Sequence, residues 1–181
     1  MMTLKHKLFP TIFILLISFI LLSYSKAESA CVVGNGNIIN NVGWFSINAC
    51  EVGVGIASGT IIFDGNVVHS GNQNSLVGAK FKFDGSINKL TFNGPYVGYE
   101  GIGTLTLCDQ NNVCTEYPGS TLFPPGSNIK DTARQVGGYT RGFDDFNISV
   151  IYGTNQFITA NGFVESCGIN NDMKDCITIT P

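Results

Sequence analysis

The chain has 181 residues, 44% of them hydrophobic and only 13% charged, with a formal net charge of −3 at neutral pH. Of the ten Lys and Arg, three (Lys5, Lys7 and Lys26) fall in the first 27 residues, which hold no acid; the remainder sets seven bases against thirteen acids, a net charge of −6. This balance leaves no basic footprint for nucleic acid and disfavours an anionic membrane surface, while neutral carbohydrate or another protein stays open as a partner.

The basic start is followed by an almost wholly apolar run over residues 8–22, and Ser25-Lys26-Ala27 sets small residues at the −3 and −1 positions of a secretory cleavage site. The run falls short of the roughly 20 residues a bilayer span requires. Residues 1–27 therefore read as a signal peptide, and residues 28–181 as a single all-β domain with no stable membrane span after cleavage. The destination is secreted, or periplasmic in a bacterium. In such an oxidising compartment six cysteines read as three disulfides. Cys108 and Cys114 flank one polar loop between strand-like runs, and Cys167 and Cys176 flank another, which leaves Cys31 for Cys50. Loops this short contribute about 2–3 kcal/mol each by chain entropy. No Cys-x-x-Cys occurs and His69 is the one histidine beyond the leader, so no metal site is expected from these residues.

After Cys31, a Gly- and Asn-rich stretch reads as a turn and a short first strand, and Trp44–Ile47 as a second, with Trp44 in the core. Glu51–Gly59 reads as a strand with Val52, Val54 and Ile56 on one face, its glycines marking a bend. Phe63-Asp64-Gly65 and Phe83-Asp84-Gly85 each follow a strand-like run, as does Asn93-Gly94. All three suit tight hairpin turns, where positive φ is needed. Lys80 and Lys82 alternate with Phe81 and Phe83, which puts rings on a buried face and ammonium groups on a wet one.

Two segments stand out as loops. Gly94–Gly103 carries Tyr96 and Tyr99 beside glycines, and Pro118–Arg141 carries Lys130, Arg134, Tyr139 and Arg141, with a short helical turn expected near residues 131–134. Long irregular loops tend to be functional. Phe146–Tyr152 alternates as a strand, with Asn147 on its outer face within an Asn-Ile-Ser glycosylation sequon if the source is eukaryotic. Gln156–Ala160 reads as the next strand, and Phe163–Thr180 as a hairpin closed by Cys167 and Cys176. The class is all-β: an antiparallel β-sandwich or flattened β-barrel built from hairpins and stapled by disulfides.

No Gly-x-Ser-x-Gly occurs, and His69 at a strand end reads as a half-exposed structural residue rather than a general base. Glu51, Glu100, Glu116, Asp144, Asp145 and Glu165 are the carboxylates that could pair across a cleft for glycoside hydrolysis, but adjacent Asp144 and Asp145 point apart in a strand. No cofactor is expected. Calcium is the one ionic candidate, through the Asp109–Asn112 and Asn170–Asp172 loops, although turn chemistry also explains these residues. Rings beside amides can dock a neutral sugar or a protein. The expectation is a binding module for a carbohydrate or protein surface through Tyr96, Tyr99, Arg134, Tyr139 and Arg141. The alternatives are a β-barrel carrier of a small apolar ligand and an extracellular carboxylate-dependent hydrolase.

Overall fold

The computed structural model describes residues 29–71, 74–123, 127–130, 133–136, 139–142, 144–166 and 176–180. The expected leader (1–27) and the Asn170–Asp172 loop lie outside them, as does Cys167. The strands are β1 (Cys31–Ile38), β2 (Gly43–Gly53), β3 (Ile56–Asn66), β4 (His69–Ser70), β5 (Lys80–Asn93), β6 (Tyr96–Cys108), β7 (Cys114–Leu122), β8 (Asn128–Lys130), β9 (Ala133–Val136), β10 (Tyr139–Gly142), β11 (Asp145–Tyr152), β12 (Gln156–Ser166) and β13 (Ile177–Thr180). The all-β, antiparallel class read from the sequence is the class observed.

Pairing runs β1-β2-β3-β5-β6-β7-β11-β12, and β12 returns to β1 through Asn37–Ser166 and Ile38–Val164. Two columns of this ladder are built from two pieces. β13 pairs with β1 at residues 31–34, taking over where β12 ends. β8 lies between β6 and β11, taking over from β7, which has the same two neighbours. β9 and β10 form a separate hairpin.

Alternation fills the interior. Phe81, Phe83, Ile87 and Leu90 of β5 are buried while Lys80, Lys82 and Asp84 are exposed. Directly opposed Phe45, Phe63, Phe83 and Leu105 make one buried row across β2, β3, β5 and β6. The Phe45 ring stacks on Phe146 of β11 at 4.1 Å, and Phe63 on Phe81 at 4.6 Å. Offset ring pairs of this kind add about 0.5–1.5 kcal/mol beyond their burial.

The Phe-Asp-Gly corners are a correction. Both glycines lie inside strands, Gly65 in β3 and Gly85 in β5, and the chain does not turn there. Gly65 sits opposite Gly43, and a Cβ on it would stand 2.2 Å from the Val42 carbonyl oxygen and 2.6 Å from the Phe63 ring. Gly85 sits opposite Gly103 with the Phe83 ring over both. Here glycine serves close approach by a neighbouring strand and ring, not positive φ. Asn93-Gly94 is the true corner: Gly94 has φ +58° and begins the two-residue link to β6.

Other expectations fall for related reasons. Glu51–Gly59 is not one strand: β2 and β3 meet at a hairpin tip, with Val52, Val54 and Ile56 exposed. Trp44 opposes Asp64 on the outer face and is 39% exposed, because Phe45 takes the inward position. Gln156–Ala160 runs on through Asn161-Gly162 as β12, another in-strand glycine, where a Cβ would meet Ile38 Cγ2 at 2.5 Å. Cys31–Cys50 and Cys108–Cys114 are bonded as expected, each pair directly opposed in its ladder. Cys176 is also oxidised.

Candidate functional site

The stretch expected as the loop Gly94–Gly103 is strand β6 after Pro95, and much of Pro118–Arg141 is strand as well. Ala133 and Arg134 belong to β9, not to a helical turn. The consequence is a site built on sheet rather than on loops. Tyr96, Lys130, Asp145 and Phe163 occupy one row across β6, β8, β11 and β12. Gly98, Asn128, Asn147 and Asn161 occupy the row two residues on, and thus the same face. The inward row between them includes Val97, Phe146 and Gly162, with Val97 and Phe146 fully buried.

Tyr96, Asn128, Asp145, Asn147, Asn161 and Phe163 line an outer cleft of about 240 Å³. Tyr96 is 44% and Phe163 49% exposed, and three strand spacings, about 14 Å, separate their columns. Among the described side chains, three carboxamides and one carboxylate lie between them, and Lys130 shares the row of Tyr96 and Asp145. Carboxamides offer both donors and acceptors, which matches the hydroxyls of a neutral polyol; ring faces match its C–H faces.

The floor is held rigid from behind. Tyr99 is fully buried, and its hydroxyl donates to the Asn147 carbonyl oxygen at 2.5 Å. Burial pushes the phenol well above its ordinary pKa. Its expected role as an accessible ring is therefore corrected: Tyr99 shares the inward parity of Val97, and the adjacent glycines do not uncover it. Ser127, buried where β7 gives way to β8, donates through Oγ to the Ser149 carbonyl and accepts the Ser149 N–H, each at 3.0 Å. Its own carbonyl accepts the Tyr99 N–H at 3.0 Å. β8 is thereby fixed to both neighbours at the point where the column is broken.

Of the remaining candidates, Arg134 and Arg141 are directly opposed in the β9–β10 hairpin and Tyr139 opposes Val136. The carboxylates are dispersed. Glu100 forms an exposed ion pair with Lys89, its cross-strand partner. Asp144 is buried, and its Oδ2 accepts the Ile177 N–H at 3.1 Å, tying β13 to β11. Glu116 lies with Lys82, Asp84, Thr104 and Thr106 around a separate outer groove. Asp145 is the one carboxylate among the described cleft residues. His69 is exposed at β4, with its ring 6.2 Å from that of Phe157.

No group of three or more His, Cys, Asp or Glu side chains is placed to hold a metal ion among the described residues. The Asp109 carboxylate accepts the N–H groups of Asn111 and Val113, both at 2.8 Å, which is turn chemistry. Among the described residues, no helix is long and apolar enough to cross a membrane.

Sequence reading missed Asn128, Asn161 and Phe163. The signal for the last two was there: Asn161 and Phe163 share parity with Phe157 and Thr159, opposite to buried Ile158 and Ala160. Ending one strand at Ala160 and beginning the next at Phe163 hid it. Against family models, curated proteins and solved structures alike, the chain matches none.

Proposed function

We propose that this is a secreted recognition protein, a flattened barrel whose outer cleft between Tyr96 and Phe163 binds a neutral carbohydrate. The observation that carries this reading is the cleft's make-up: two exposed rings at the ends of a sheet-borne row that also holds Lys130 and Asp145, with Asn128, Asn147 and Asn161 lining the cleft beside it. Ring stacking supplies apolar contact without charge, and amides fixed on paired strands give directed hydrogen bonds at little ordering cost. The oxidised cysteines and the acidic balance of residues 28–181 agree with an extracellular setting and a neutral ligand.

The carrier reading has less support, because rings from β2, β3, β5 and β11 stack against one another where an apolar ligand would lodge. The hydrolase reading has less as well: Glu100 is ion-paired and Asp144 is engaged in holding β13.

A glycan array probed with the protein bearing no glycan of its own tests the proposal. Binding should be retained on neutral oligosaccharides and fall at least tenfold in both Tyr96→Ala and Phe163→Ala. Since both rings are half-exposed, these variants should keep the fold. Array binding that survives both substitutions in folded protein rejects the cleft as the site.

A further inference from the structure

Asn147-Ile148-Ser149 is the chain's one Asn-x-Ser/Thr sequence, and its asparagine lines the cleft. Asn147 is half-buried and faces outward, among the residues that line an open depression. A carboxamide in that position leaves room for a group attached to its nitrogen. Ser149 is different. It is 2% exposed, and its backbone is bonded on both sides to the Ser127 hydroxyl. An enzyme that must engage the serine as well as the asparagine cannot reach it once β8 has joined β11.

We infer that Asn147 is an N-glycan acceptor modified during export, before β11 is enclosed, and that its glycan then lies in the cleft between Tyr96 and Phe163. The carboxamide nitrogen forms a bond to the anomeric carbon of an oligosaccharide carried on a lipid pyrophosphate. The lipid pyrophosphate leaves, and the nitrogen gives up one proton. The first sugars emerge from the centre of the four-strand floor, with a ring to either side. Tyr96 and Phe163 then cover the chain's own glycan, and the modified form has no room for a free one. Only this last consequence, exclusion of a free ligand, rests on the binding function proposed above; the modification and its position do not.

The full chain is secreted from a eukaryotic host and, separately, exported to a bacterial periplasm that lacks the transferase. Peptide mass spectrometry should find a hexosamine-based glycan in the first product only. Amidase release in heavy-oxygen water should mark residue 147 as the attachment point, which needs no variant. Folded, secreted protein with an unmodified Asn147 overturns the proposal. Nitration by tetranitromethane then reads the glycan's position. Tyr96 should react several-fold more slowly in the glycosylated product than in the periplasmic one, and equal rates overturn the placement in the cleft. If the bare protein binds no sugar on the array yet Asn147 is glycosylated and Tyr96 is shielded, the binding function fails and this inference stands.

Discussion

The ladder β2-β3-β5-β6 and the sector β7/β8-β11-β12/β13 are made from the same kind of strand and behave differently. In the first, long strands oppose each other over many consecutive residues, and single glycines let rings and backbones close up. In the second, two columns change strand partway, and single side chains hold the seams: Ser127 between β8 and β11, and Asp144 between β11 and β13. The cleft falls in the second. Continuous pairing yields a rigid wall with its polar face in water, whereas an interrupted column lets a three-residue strand bring Asn128 into a row it would otherwise never join.

The largest expected effect comes from one methyl group placed inside the continuous ladder, set against one placed at its border with the cleft. Gly65→Ala drives a Cβ into the Val42 carbonyl and the Gly43 Cα, at 2.2 and 2.7 Å. It should cost about 3 kcal/mol or more, read by chemical denaturation. Gly98→Ala, in β6 where that ladder borders the cleft, meets nothing closer than 3.9 Å and should cost less than about 1 kcal/mol. Equal losses would show that the ladder is packed no more tightly in its interior than where it borders the cleft.

Tyr99→Phe probes the tie between them, since β6 carries the phenol and β11 the accepting carbonyl. Loss of the hydrogen bond should cost about 0.5–1.5 kcal/mol at neutral pH. Alkali adds a sign. The buried phenol's pKa is raised above its unfolded value of about 10, so the unfolded chain loses that proton first and stability falls as pH rises above that value. The stability is fully present below it. Tyr99→Phe removes this contribution, so its stability should fall less steeply above that pH, as followed by circular dichroism. An unchanged alkaline slope would show that Tyr99 does not control it.

The smallest effect belongs to the exposed pair on the continuous ladder. Lys89→Ala breaks the contact with Glu100 and should cost less than about 1 kcal/mol, shrinking further in high salt. A larger loss would mean that this wall depends on its surface charges as well as its rings.

The regularity of the first region is also why it could be read from sequence. Phe81 and Phe83 against Lys80 and Lys82 gave both faces of β5, and Cys31 and Cys108 found their partners. What misled was glycine, which has two physical uses. Asn93-Gly94 turns the chain, while Asp64-Gly65, Asp84-Gly85 and Asn161-Gly162 admit a neighbour, and only the opposite strand tells them apart. Tyr96 was found through composition, and Tyr99 was misplaced because parity, not the nearby glycine, decides exposure. The union of Asn128 with Asn147 and Asn161 depends on β8 entering a column already begun by β7. Nothing local in Asn128–Lys130 announces that.

Eight strands are linked in a circuit, yet the rungs are unequal. Most neighbours share long runs of partners, but β12 meets β1 at only two positions, Asn37–Ser166 and Ile38–Val164, and β7 meets β11 at only two, Leu122–Val150 and Thr121–Ile151, with β13 and β8 carrying on each column. Heat or shear should unzip the circle first at one of these two seams. Two copies opened along that line would each present a bare margin matching the other's, so strand exchange between molecules is the natural route by which this protein would polymerise.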